Sequence, residues 1–289
     1  MLASKPMGNA EVISIDILEP CKKCGGDLYE KDPDTFDTWF SSGQWPLITL
    51  CFPDGNDFKT FYPTDVMETG HDLIFKWIPR MIIFGLYLAD DVPFRTVYLH
   101  GLVNDAHGKK MSKSKGNVMN PLDMTEKYGT DAVRMALIVG NPAGSDMALS
   151  EDKIRGYRNF STKMWNAARF VLANKPAGNS KTATPKNDKD LDELAVTKKE
   201  VEAHIENFEF HLAAEKLYHY FWHTFADKII EAAKSKLKNG DEKEKAAEYA
   251  KLETILIECL KMLHPFTPFV TEEIYQKFYP GKLLMVEKW

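Results

Sequence analysis

"VYLHGLVNDAHGKKMSKSKGN", residues 97–117, is the stretch on which the reading of this chain turns. It opens as an apolar, strand-forming run, Val97-Tyr98-Leu99-His100-Gly101-Leu102-Val103, and passes into a loop with two lysine–serine steps and a glycine. A loop at the carboxyl end of a parallel strand is where open α/β sheets bind ligands. Lysines there can meet phosphate oxygens through charge-assisted hydrogen bonds, and serine hydroxyls can add neutral ones. Gly116 permits backbone shapes that a larger residue resists. A solvated basic turn is the bland alternative.

Working outward, the flanks support an α/β arrangement. Thr64-Asp65-Val66-Met67-Glu68-Thr69 reads as a strand ending at Gly70. Leu73, Ile74, Trp77, Ile78, Met81 and Ile82 then recur at helical spacing, which predicts a helix over about 72–88, bent or locally opened at Pro79. After the loop, Asn120-Pro121 starts a helix that Gly129 closes. Alternating strands and helices over residues 33–150 are the pattern of a parallel sheet covered by helices. From Ser150 onward the chain reads as all helix, with segments near 191–206, 209–238, 241–264 and a last one through Phe278. The polar stretch from Ala173 to Asp190 reads as a loop. Ahead of all this, Glu11–Ile17 reads as a strand.

Composition bounds the class. The chain has 289 residues, 44% apolar and 27% charged, with a net charge of -5. That length allows two domains, and that balance excludes a generally basic nucleic-acid coat while leaving room for a local basic groove. No run of roughly 18 apolar residues predicts a membrane span. Four cysteines, two of them in Cys21-Lys22-Lys23-Cys24, suit a reducing compartment, and a cytoplasmic location is expected. Cys51 and Cys259 are expected in buried segments.

The string "KMSKS" (110–114) resembles the signature loop of class I aminoacyl-tRNA synthetases. Four further segments fit that family in order: "DTFDTWFSSGQWP" (34–46), "TGHDLIFKWIPRM" (69–81), Asp152-Lys153-Ile154-Arg155 through Phe170, and "HPFTPFVTEEIYQKF" (264–278). The set is specific for the valine, isoleucine and leucine branch, and "DTWFSS" with "TGHDLIFKW" looks most like its valyl members. The resemblance implies a fold and a reaction. The fold is an α/β parallel sheet, Rossmann-like with only its second half present, followed by an all-α helical bundle. The reaction joins valine to ATP as an adenylate and passes the acyl group to tRNA-Val, with Mg2+ accompanying the nucleotide.

Site residues carry over one position at a time. Lys110 and Lys113 would hold the phosphates, supported by Ser112 and Ser114. Gly70 and Asp72 match the segment that approaches the ribose, although an acid at a helix start also suits the dipole. His100, Gly101, Leu102, Val103 and Met111 fall where the strand passes the adenine, His100 being as readily structural. Trp39 and Leu73 match the wall of the valine pocket, Leu73 standing where the family usually has isoleucine; without the resemblance both would be core. Arg155, Arg158 and Lys163, beside Lys153 and Arg169, give the first helix of the bundle a positive face suited to tRNA phosphates. Tyr220, Phe221 and Trp222 are at helical spacing and are expected in the core.

The resemblance also marks what to expect outside the chain. Family members carry an HIGH-type motif in the first half of the nucleotide fold, and nothing of that form occurs here. Its nearest look-alike, Leu99-His100-Gly101-Leu102, lies in the wrong half. The expectation is therefore a C-terminal fragment, partnered by a missing N-terminal half and lacking the editing domain. A pocket that must reject close isosteres discriminates too little by itself, so that editing site is expected of the complete enzyme. Cys21 and Cys24 resemble half a zinc knuckle. Zinc takes four ligands, so Zn2+ is an expectation for the complete enzyme. The expected domains are 1–32, the end of an inserted domain; 33–150, the second half of the catalytic domain; and 151–289, an anticodon-binding bundle. An isoleucyl or leucyl fragment, or a non-catalytic tRNA- or nucleotide-binding protein, are the alternatives.

Overall fold

A computed structural model describes residues 4–5, 20, 22, 25, 30–31, 33–176 and 188–289. The expected strand Glu11–Ile17 and the Cys21/Cys24 pair lie outside the described residues, as does most of the expected loop after Ala173. The chain divides into two compact units, one formed by Met1–Met67 and Asp72–Val97, the other by Glu68–His71 and Tyr98–Trp289.

In the first unit, β1 (Ser4–Lys5) pairs antiparallel with β2 (Glu30–Lys31). Three short helices follow: α1 (Thr38–Gly43), α2 (Trp45–Thr49) and α3 (Asn56–Phe61). Asp37 caps α1 by accepting from the Trp39 amide at 2.9 Å, which satisfies one of the orphan donors at a helix start. Next come β3 (Thr64–Gly70), α4 (Ile78–Ala89) and β4 (Phe94–His100), a strand–helix–strand series in which β3 and β4 are hydrogen-bonded neighbours and run on into the second unit. Ile78, Met81 and Phe94 form a small core, with Met67, Trp77, Ile82 and Val97 packed on it. Gly43 lets α1 approach α4 closely, since a Cβ there would sit 2.8 Å from the Phe84 ring.

The helix expected over 72–88 is shorter than its apolar spacing suggests. His71–Leu73 is a single 3-10 turn, and α4 begins only at Ile78. Pro79 therefore stands in the first turn of the helix, where it neither bends nor locally opens it. In the first turn its missing N–H removes no hydrogen bond, and its fixed φ suits the helix. Cys51 is exposed, against expectation, in a turn with φ 60°. Cys259 is buried, and burial pushes its thiol pKa upward.

In the second unit, β5 (Val103–Asn104) lies parallel to β6 (Met147–Ala148). The single strand expected over 97–103 is thus two, broken at Gly101. The chain is closely approached at this break: a Cβ on Gly101 would lie 1.7 Å from the Ser145 carbonyl oxygen. Between β5 and β6 run α5 (Pro121–Tyr128) and α6 (Thr130–Ile138). Asn120 caps α5 and Gly129, at φ 89°, ends it, as their residue types predict.

The helical region comprises α7 (Glu151–Ala173), α8 (Lys189–Glu206), α9 (Phe210–His219), α10 (Ile230–Asn239), α11 (Glu242–Leu263) and α12 (Pro268–Phe278). Ser150 caps α7, and Asp241 with Glu244 forms a capping box on α11. The fully buried side chains Phe160, Leu217, Phe221, Phe225, Leu252, Ile255, Leu256 and Leu260 come from α7, α9, α11 and the turns after α9. Tyr220 and Phe221 are buried, and Trp222 packs at the core's margin. One long helix was expected over 209–238, yet Tyr220–Ile229 is π-helical. The wider turns fall within an aromatic cluster, where Phe221 meets Phe225 at 5.3 Å and Phe160 at 5.9 Å.

Candidate functional site

The lysine loop is a hairpin built from its own polar residues. Asn104 and Lys110 form an antiparallel bridge across its base. Its tip turns at Asp105–Lys109, where the Asp105 amide donates to the Lys109 carbonyl at 2.9 Å and Gly108 adopts φ 73°. Asp105 Oδ1 accepts from the amides of His107 and Lys109, both at 2.9 Å. Its Oδ2 accepts from Asn117 Nδ2 at 2.8 Å. Asn117 reaches the loop's other arm as well, with Oδ1 accepting from the Ser112 amide at 2.9 Å and Nδ2 donating to the Lys110 carbonyl at 3.3 Å. These donors, the Asn117 side chain foremost, hold the Asp105 carboxyl below the usual carboxylate range.

Within this frame, the hydroxyls of Ser112 and Ser114 lie 3.3 Å apart. Lys113–Lys115 makes a 3-10 turn, and Gly116 at φ 66° returns the chain to Asn117. Lys109, Lys110 and Lys115 are exposed and, among the described residues, have no carboxylate partner. Elsewhere in this unit lysines are commonly paired, as in Lys127–Glu151 at 2.9 Å and Lys198–Glu258 at 2.8 Å. Unneutralised ammonium groups on one ordered hairpin are what an anionic ligand requires.

The strand side of the same unit brings Gly70, His71 and His100–Leu102 toward the segment that precedes β6. Asp146 Oδ1 meets His71 Nε2 at 2.8 Å and accepts from the Leu102 amide at 2.7 Å. The His71 contact is the main reason that the Asp146 carboxyl titrates below its ordinary range. His100 Nδ1 lies 2.9 Å from the Gly101 carbonyl oxygen, and its Nε2 is 3.3 Å from Glu68. Gly70 and Gly101 are buried, Leu102 is half-buried, and Val103 opens β5.

Asp72, Leu73 and Trp39 belong to the first unit. Asp72 is exposed within the 3-10 turn, and Leu73 ends that turn half-buried. Trp39 sits on α1 with the Arg80 guanidinium 5.0 Å above its ring, a cation–π contact. The neighbouring Trp77 indole donates to the Ser42 carbonyl at 2.7 Å.

The basic residues of α7 separate into different roles. Lys153 donates to the Val139 carbonyl at 2.8 Å and is half-buried, which depresses its pKa; it is a structural group. Arg155 pairs with Asp152 at 2.6 Å. Lys163 pairs with Asp227 at 2.5 Å and lies 5.0 Å above the Trp222 ring. Arg158 is exposed and has no ion-pair partner among the described residues. No group of three or more His, Cys, Asp or Glu among the described residues is arranged to hold a metal, and no described helix is long and apolar enough to cross a membrane.

Asp105, Asn117, His71 and Asp146 were not singled out from sequence. A local signal existed for the first of them: an aspartate three residues before a glycine marks a turn whose carboxylate accepts from nearby amides.

A family model described as tRNA synthetases class I (I, L, M and V) matches residues 5–150, and one described as the anticodon-binding domain of tRNA ligase matches residues 190–289. The chain is 42% identical to a valine–tRNA ligase of Clostridium tetani over 96% of its own length and 32% of that protein. It is 45% identical to one of Nitratidesulfovibrio vulgaris over 90% of its length and 30% of that protein. The chain thus spans about a third of the curated relatives it matches. Among solved structures, a LeuRS of Agrobacterium radiobacter K84 in a ternary complex with tRNA and LeuAMS matches with a TM-score of 0.72 at 25% identity, covering 93% of this chain and 34% of that one. A methionyl-tRNA synthetase of Mycobacterium tuberculosis bound by methionyl-adenylate shares the fold, with a TM-score of 0.68 at 22% identity over 82% of this chain and 49% of that one.

Proposed function

Because this chain belongs to the class I tRNA synthetases (I, L, M and V), we propose that it is the lysine-loop and anticodon-binding portion of a valine–tRNA ligase. The observation that carries this reading is the ordered hairpin at 104–117 with its unpaired lysines, on a chain whose relatives at 42% and 45% identity are valine–tRNA ligases. ATP is the substrate of this loop, entering as its Mg2+ complex. Lys110 and Lys113 stabilise charge on the triphosphate as the α-phosphate accepts the valine carboxylate and pyrophosphate departs. Ser112 and Ser114 support them. No side-chain nucleophile is needed: the work is positioning and electrostatic stabilisation.

By their match to the family's segments, Gly70, Asp72, His100, Gly101, Leu102, Val103 and Met111 are assigned to the nucleoside, and Trp39 with Leu73 to valine. Residues 33–150 act as the second half of the catalytic domain, 151–289 as the anticodon-binding bundle, and 1–32 as the end of an inserted domain. tRNA-Val is the macromolecular substrate, contacted by Arg155, Arg158 and Lys163, and the work is done in the cytoplasm. The zinc expectation stays with Cys21 and Cys24 and with ligands supplied by the complete enzyme.

The test is ATP–pyrophosphate exchange, measured on this chain alone and mixed with a polypeptide covering the rest of a relative's length. The chain alone should be silent. The mixture should exchange with valine in preference to isoleucine or leucine. Preference for either of those reassigns the substrate. Silence of a mixture that nevertheless binds tRNA or ATP favours a non-catalytic binding protein.

A further inference from the structure

We propose that Asp105 and Asn117 are positioning residues whose side-chain clasp holds the lysine loop in its phosphate-receiving shape. The proposal rests on the reading of that loop as the ATP site. The two residues bracket the lysines, and their contact joins the turn at one end to the glycine return at the other. Asn117 is placed to serve two needs that only an amide meets together. Its oxygen accepts from the Ser112 N–H at 2.9 Å, while its nitrogen donates to the Asp105 carboxylate at 2.8 Å. The orientation of the amide is dictated by its partners, because a backbone N–H must face oxygen and a carboxylate must face N–H.

A carboxylate in a phosphate-binding loop would ordinarily repel its ligand. Here three N–H donors, from His107, Lys109 and Asn117, surround the Asp105 oxygens, so its charge is spent on shaping the loop. The backbone is thereby set for Met111, Ser112 and the 3-10 turn beginning at Lys113. Preorganisation of this kind reduces the ordering cost that a flexible lysine loop would meet on binding.

The geometry makes a reciprocal swap informative. In D105N/N117D the new amide at 105 can still accept from two backbone N–H groups with its oxygen and donate to the new carboxylate at 117. That carboxylate can accept from Ser112. N117D alone instead sets two carboxylates against each other.

The experiment is limited trypsin digestion of the full 289-residue chain, following cleavage after Lys109, Lys110, Lys113 and Lys115 by mass spectrometry, with and without ATP. Global melting temperature is recorded for every variant. N117A and N117D should be cut in the loop about tenfold faster than wild type, at little change in melting temperature. The swap should return the rate to within about threefold of wild type. ATP should protect the wild-type loop, with the half-protecting concentration raised about tenfold in N117A and restored in the swap. Wild-type cleavage rates in N117A, or a swap no better than N117D, would overturn the clasp. Failure of ATP to protect the wild-type loop, both in the chain alone and in its mixture with a polypeptide covering the rest of a relative's length, overturns the triphosphate reading itself and the clasp's part in binding, while the cleavage rates still decide whether the clasp exists.

Discussion

Asp131, at the start of α6, caps a helix 139 residues away: its Oδ2 accepts from the Val270 amide at 2.7 Å. Its Oδ1 takes the Phe269 amide at 3.3 Å. α12 has no cap from its own Thr267, so the carboxylate of a distant helix supplies the acceptor that its first turn needs. Arg134, one turn along α6, donates to the carbonyls of Phe266 and Pro265 at 3.1 and 2.9 Å. Together they tie the segment following the lysine loop to the last helix of the bundle.

Replacing Asp131 by Ala should lower stability by about 1–2 kcal/mol, the usual worth of a lost cap, and Asp131→Asn should cost less. Burial is the largest influence on this carboxyl and raises its pKa, against the two amides that lower it. A raised folded value means that the native state holds its proton longer than the unfolded chain. The wild type should therefore gain stability relative to D131N as pH falls through the carboxylate range, and lose that gain as pH rises through the folded pKa. Denaturant unfolding of both proteins between pH 7 and 4 measures the difference; a gap that closes on acidification contradicts the assignment.

Gly101→Ala should be among the most damaging single-atom additions to this chain. The added Cβ would stand 1.7 Å from the Ser145 carbonyl oxygen and 2.7 Å from the Asp146 amide nitrogen. Both are backbone atoms with no rotamer to yield. A loss of about 3 kcal/mol is expected, at the upper end for overpacking. Thermal unfolding reads it directly, and Gly144→Ala, with no atom near its added Cβ but a φ of 74°, should show the smaller cost of backbone strain alone.

Lys110→Ala and Lys113→Ala, each made in a reassembled enzyme, should slow ATP–pyrophosphate exchange by about a hundredfold or more. Lys115→Ala, on the same hairpin but outside the matched pattern, should change it by less than about threefold. Equal effects at all three positions would mean that the loop attracts ATP by bulk charge and not by directed contacts.

Arg158 and Arg155 make a matched pair on α7. Removing a phosphate contact should reduce the slope of log K against log salt by about 0.7–0.9. That change is expected for Arg158→Ala in filter-binding or fluorescence titrations with tRNA-Val. Arg155, already bound to Asp152 at 2.6 Å, should give a smaller change. The reverse order would show that the ion pair opens on binding.

Much of this molecule was legible along the chain because the signals are local. Asn120, Pro121 and Gly129 announce α5 through cap and turn chemistry; Ser150 announces α7; the lysine–serine steps after an apolar run announce a loop at a strand's end. Each depends on dihedral preference or on hydrogen bonds within a few residues, so neighbouring letters carry it. Apolar spacing places the start of α4 too early because it does not tell a 3-10 turn from a helix, whereas a proline in the first turn marks where the helix begins.

What the tertiary structure decided are the couplings between distant positions. Asp146 meets His71 across 75 residues, Asp131 meets Val270 across 139, and Gly101 is a glycine because the chain at Ser145 returns against it. The division of the α7 cations into a half-buried Lys153, a paired Lys163 and an unpaired Arg158 is of the same kind. Side-chain chemistry states what a residue can bond with; only the folded chain, by bringing remote segments within 3 Å, states which partner it has.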